Sequence, residues 1–163
     1  MLQPSPAEAA TQVDIATLAE AIRQSGTEIV ERKNCEKEIL GYYEYKESPT
    51  IDRMTLCTNN LDANDLDQAW EVLTHETAHI MQTCDLLQGG PGFAFEDSYF
   101  PRIYRELQQL NPSSIDDTRL YGSWNKRQEI EARYMELLPP GDVIELFRES
   151  LCFSQPESQP SSR

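Results

Sequence analysis

The sequence predicts an α+β fold, with a small and mostly antiparallel sheet packed on helices, and three observations carry that expectation. The stretch from Ile39 to Leu61 is rich in aromatic residues and Thr and is broken by a Ser-Pro turn, the texture of a β-hairpin. From Asp65 to Thr83 the chain runs without Gly or Pro, at helical period. Beyond it, helical stretches alternate with Pro, Gly and Asn breaks as far as Phe153. A chain of 163 residues fits one domain, expected over residues 11–153, and is long enough to bury a core without disulfides.

The ends are Pro- and Ser-rich and lack apolar period, so residues 1–10 and 154–163 are expected to be disordered tails. Ile15, Leu18, Ile22 and Ile29 recur at roughly helical spacing, which predicts an amphipathic helix between Asp14 and Arg32, interrupted or ended near Gly26. ILGYYEY and IDRMTLC, joined by KESPT, form the expected hairpin. NNLDAND then offers polar N-caps to LDQAWEVLTHETAHIMQTC, where Leu66, Trp70, Leu73 and Ile80 lie on overlapping helical faces. QGGPG breaks that helix. Further helices are expected from Pro101 to Leu110, from Trp124 to Leu138 and from Asp142 to Phe153.

With 28 acidic against 14 basic residues, the chain repels phosphate backbones and anionic lipid, which argues against nucleic-acid and membrane partners. The N-terminal stretch lacks the basic flank and apolar run of a secretory signal, so a cytoplasmic protein is expected. In a reducing compartment Cys35, Cys57, Cys84 and Cys152 are expected as free thiols.

Inside the long helix stands His75-Glu76-Thr77-Ala78-His79, and it contains both histidines of the chain. Residues four apart on a helix are offset by about 40° around the axis and one turn along it, so both imidazoles can reach one metal ion. Glu76 lies beside that face, placed to take a proton from water rather than to bind the ion. A catalytic zinc site needs three protein ligands, and no third histidine exists.

If the helix reaches Cys84, that thiol points about 140° away from His79. Only an early helix end would let Cys57 and Cys84 close a structural site. The carboxylate candidates are Glu129 and Glu131 in NKRQEIEARYMELLPP, about 200° apart around the axis. They flank the apolar stripe Ile130, Tyr134 and Leu137, and periodicity alone does not choose between them. Ala132, small and on the Glu129 side, permits close helix approach and favours Glu129.

VLTHETAHIMQ joined to a distant EIEARYMELLPP resembles the gluzincin metallopeptidases, and within them the compact ImmA/IrrE-type family. A second, local likeness is to the mitochondrial inner-membrane-assembly type of metalloprotease, through Leu56-Cys57, LTHE and Glu129-Ile130-Glu131-Ala132. The resemblance implies a minimal zincin-like domain with Zn2+ held by His75, His79 and Glu129, Glu131 as fallback ligand, and Glu76 as catalytic base. It also implies hydrolysis of a peptide or protein substrate. Tyr121, Tyr134 and Arg133 are the candidate oxyanion donors, Tyr134 reading also as core. Asp52 to Cys57 reads either as a sheet edge that aligns an extended substrate or as an ordinary core strand. Two other readings compete: a zinc-stabilised binding or regulatory module, and a structural protein with a vestigial motif.

Overall fold

The computed structural model describes residues 9–154. Thr11 opens the first helix, α1 (Gln12–Gln24), with a reciprocal capping box to Asp14. Gly26, at φ +100°, then lets the chain reverse after the helix, a backbone conformation that a side chain would strain. The chain continues as a strand, β1 (Glu28–Arg32). Of the two alternatives expected near Gly26, the helix ends there rather than being interrupted, and Ile29, read with the helical period, is with Val30 a strand residue.

The hairpin forms as expected, from β2 (Gly41–Glu47) and β3 (Thr50–Cys57) around the Ser-Pro turn. Sheet order is β1-β3-β2: β3 pairs antiparallel with β2 and parallel with β1, in register Glu28 with Arg53. The sheet is thus mixed rather than mostly antiparallel. Its central strand is β3, so within Asp52 to Cys57 the residues Arg53 to Leu56 are paired on both sides, Asp52 is paired with β2 and Cys57 with β1. The substrate-edge reading of that segment fails, and β2 is the edge strand instead.

The long helix, α2 (Leu66–Leu87), is capped by Asp65 and runs past Cys84. It lies against α1, β2 and the later helix α5 (Ser123–Met135). Gly41 permits the close approach of β2 to α2, since a Cβ there would sit 2.7 Å from Val72 Cγ1. Leu18, Ile22, Met54, Leu73, Ile80, Met135 and Phe147 fill the main core between helices and sheet. At roughly 1.5–3 kcal/mol per fully buried large apolar side chain, this layer is what fixes α2 against the sheet.

Between α2 and α5 come α3 (Phe100–Leu110) and a short helix that the sequence did not suggest, α4 (Pro112–Asp117). Ile103, Leu107, Ile115 and Ile130 make a second cluster, with Tyr134 and Leu137 packed on it, as the apolar stripe of α5 predicts. α6 (Pro140–Arg148) and a 3-10 turn at Leu151–Phe153 complete the described chain. The two tails fall outside the described residues except for Ala9, Ala10 and Ser154, and Ala10 is buried in the core rather than loose.

The cysteines depart from expectation. Cys35 is bridged to Cys57 and Cys84 to Cys152, so none of the four is a free thiol. The first bridge ties the segment before β2 to the end of β3, and the second ties α2 to the last turn. Bridges persist in oxidising surroundings, which removes the reducing-compartment argument on which the free thiols rested. Among the described residues no helix is long and apolar enough to cross a membrane.

Candidate metal centre

Two turns of α2 present His75 and His79 on one face, and α5 crosses so that Glu129 meets them. His75 Nε2 and His79 Nε2 are 3.2 Å apart, and the Glu129 carboxylate oxygens lie 3.5 Å and 3.3 Å from them. These three residues form a group able to hold a metal ion. Glu131 is elsewhere. Its side chain is fully buried, accepting from the backbone N–H groups of Ala94 and Phe95 and pairing with Arg127 at 3.0 Å. Two residues of separation on a helix turned one carboxylate to the histidines and the other to the loop behind them.

The outer partners fix the chemistry of the donors. His75 Nδ1 donates to Glu136 Oε1 at 2.7 Å, and His79 Nδ1 to Gln82 Oε1 at 2.8 Å. Gln82 donates its amide to Gln128 O, which leaves its oxygen as the acceptor for His79. With Nδ1 the donor in each ring, both Nε2 atoms face each other and a carboxylate, and in the neutral rings each is a bare lone pair. Acceptors so placed repel unless a cation or proton lies between them. Donors around a tetrahedral ion with bonds of about 2.0–2.1 Å stand about 3.3 Å apart, which the observed spacings match.

The protonation equilibria report the same need. Burial works against charge on His75, but the carboxylates of Glu129 and Glu136 outweigh it and push its pKa up to about 10. Burial likewise opposes ionisation of Glu129, yet hydrogen bonds from His75 and His79 hold it well below the usual carboxylate range. Glu76, almost wholly buried beside the histidines and outside the donor group, is raised by burial, with the two imidazoles acting the other way.

The group opens into a cleft of about 580 Å³, walled by β2 and the chain just before it, by α2 and by α5. Tyr121 and Arg133 line this cleft. Tyr134 does not: its hydroxyl donates to Glu106 Oε2 at 2.8 Å, in the second core cluster. Cys84, bridged to Cys152, takes no part in the donor group.

Glu136 and Gln82 were not among the sequence-derived candidates. Glu136 lies seven residues after Glu129 and so on the same side of its helix, and Gln82 lies three after His79, so periodicity pointed at both once the ligands were chosen. The loop behind α5 is held by the opposite face of that helix. Gln128 donates to Gly92 O and Trp124 to Pro91 O, while Arg127 lies over the Phe93 ring. No protein-family model, curated protein or solved structure matches this chain.

Proposed function

We propose that this protein is a zinc-dependent metallopeptidase with a zincin-like fold, in which His75, His79 and Glu129 hold the ion and Glu76 is the general base. The observation that carries the reading is the convergence of two imidazole Nε2 atoms and a carboxylate at 3.2–3.5 Å, beside a buried glutamate that is not part of the group. Two nitrogens and one carboxylate, with a cleft in front, match a catalytic zinc set with an open position better than a closed structural one. Zinc held there supplies Lewis acidity, making water more acidic and polarising a carbonyl.

The protein's own groups do the rest. Burial raises Glu76 toward the range in which a carboxylate can take a proton from water and return it to a leaving amine. Glu136 and Gln82 hold both imidazoles in the tautomer that leaves Nε2 free to bind. The outer edge of β2 borders the cleft and offers backbone groups along which an extended peptide can lie. Arg133 and Tyr121 are the donors positioned to meet negative charge developing on a scissile carbonyl.

The test combines zinc analysis with peptide-library cleavage for wild type, Glu76→Gln and His75→Ala. Glu76→Gln is expected to keep one zinc per chain and lose turnover by about two orders of magnitude or more. His75→Ala is expected to lose both. Undiminished cleavage by zinc-loaded Glu76→Gln would refute the assigned base, and loss of zinc in that variant would make Glu76 a support of the metal group.

A further inference from the structure

Glu71 stands one turn before His75 on α2, so Glu71, His75 and His79 recur four residues apart along one face of the helix. Its half-exposed side chain lines the same cleft. The neighbouring carboxylates are occupied: Glu129 faces both imidazoles, Glu136 accepts from His75, and Glu76 is buried. Glu71 makes no side-chain hydrogen bond among the described residues, and its one ion contact is Arg133 at 3.9 Å. Arg133 stands closer to Glu136, at 3.5 Å.

Among the described residues, Arg133 is the one guanidinium or ammonium group lining the cleft, against Glu38, Glu71, Glu76, Glu129 and Glu136. Those carboxylates outnumber the positive charges of Arg133 and a divalent ion together, even with Glu76 protonated. The surplus is negative, and Glu71 is the member on the ligand face of α2 that has charge to spare. Low-dielectric walls focus such a field and raise the local concentration of cations.

We infer that Glu71 is a recognition carboxylate, selecting peptides that carry a Lys or Arg side chain near the bond to be cleaved. The inference rests on the peptidase reading of the cleft. One helical turn displaces Glu71 from His75 by about 6 Å along the axis. An extended peptide advances about 3.3 Å per residue, so the cation would stand about two residues from that bond. The carboxylate would accept charge-assisted hydrogen bonds from the guanidinium or ammonium group.

The experiment uses fluorescein-labelled eight-residue peptides, otherwise Ala and Gly, in which arginine or its neutral isostere citrulline occupies each position in turn. Binding to the zinc-loaded Glu76→Gln protein is read by fluorescence anisotropy, and cleavage by wild type is followed in parallel. At one register, arginine is expected to bind about tenfold more tightly than citrulline, with the ratio shrinking as salt is raised. Adding Glu71→Gln should bring the ratio to near one with zinc content unchanged, and Glu71→Asp should restore part of it. Absence of discrimination at every register, or a ratio that survives Glu71→Gln, overturns the inference. Discrimination that depends on Glu71 in a protein that cleaves nothing would sink the peptidase reading and leave Glu71 as the cation site. Cleavage with no preference for arginine would do the reverse.

Discussion

Glu136 offers the sharpest test of how the metal group is held together. Its Oε1 lies 2.7 Å from His75 Nδ1 and its side chain is only 10% exposed, so little water can replace it. Glu136→Ala leaves a nearly buried imidazole N–H without an acceptor and frees the ring to turn. Loss of such an outer partner weakens metal binding by about 10–100-fold, equivalent to about 1.4–2.7 kcal/mol. Glu136→Gln retains an acceptor oxygen but not the charge and should fall between that variant and wild type.

Two comparators bracket the result. Glu129→Ala removes a donor from the group itself and is expected to exceed the loss at Glu136. Glu131→Ala alters a carboxylate that faces the Ala94–Phe95 turn, so zinc affinity in the folded protein should move by less than about threefold. The assay is zinc titration against a chromophoric chelator at fixed pH, with folding checked by circular dichroism. Affinity of Glu136→Ala within about twofold of wild type, or a larger loss at Glu131 than at Glu136, would refute the argument that the outer shell positions the donors.

Two further outcomes follow from the same geometry. In the metal-free protein His75 titrates at about 10, above its ordinary 6.5, so its contribution to stability is fully present below about pH 6.5 and lost as pH rises through about 10. Relative to His75→Gln, the urea midpoint should fall across that window, and zinc, which displaces the proton, should stabilise increasingly over it; a rising metal-free midpoint would contradict this. The bridges close segments of 22 and 68 residues, which loop-closure entropy converts to about 3 and about 4 kcal/mol. Alkylation without reduction should leave all four cysteines unmodified, and Cys84→Ala with Cys152→Ala should lower unfolding stability more than the Cys35 and Cys57 pair; the reverse order would refute the loop-closure argument.

The legible parts of the fold were those whose signal is local. The α2 stretch shows its N-cap, its uninterrupted period and its break at Gln88 to Gly92 within one short window, and the hairpin shows its turn between two aromatic and β-branched runs. β1 was missed because five residues carry too little period to be told from the tail of a preceding helix, and Gly26 by itself left open whether the helix was interrupted or ended. The parallel pairing of β1 with β3, which makes β3 central and β2 the edge, is a contact between segments far apart in sequence. Nothing within either segment encodes it.

The site divides along the same line. The meeting of His75 and His79 was legible in sequence alone, because one turn of helix suffices to bring two imidazoles together. Glu129 was favoured through the small size of Ala132 and through resemblance, but helical angle left Glu131 equally able to face inward until the crossing of α5 over α2 was known. Only the tertiary structure turned Glu129 to the histidines, gave Glu131 to the loop behind, and brought Glu136 onto His75. Cysteine pairing was decided there too, since spacing places no constraint on which thiols meet. A sequence fixes which side of its own helix each residue occupies; which neighbour that side meets depends on how burial of the two apolar clusters sets the helices against each other and against the sheet.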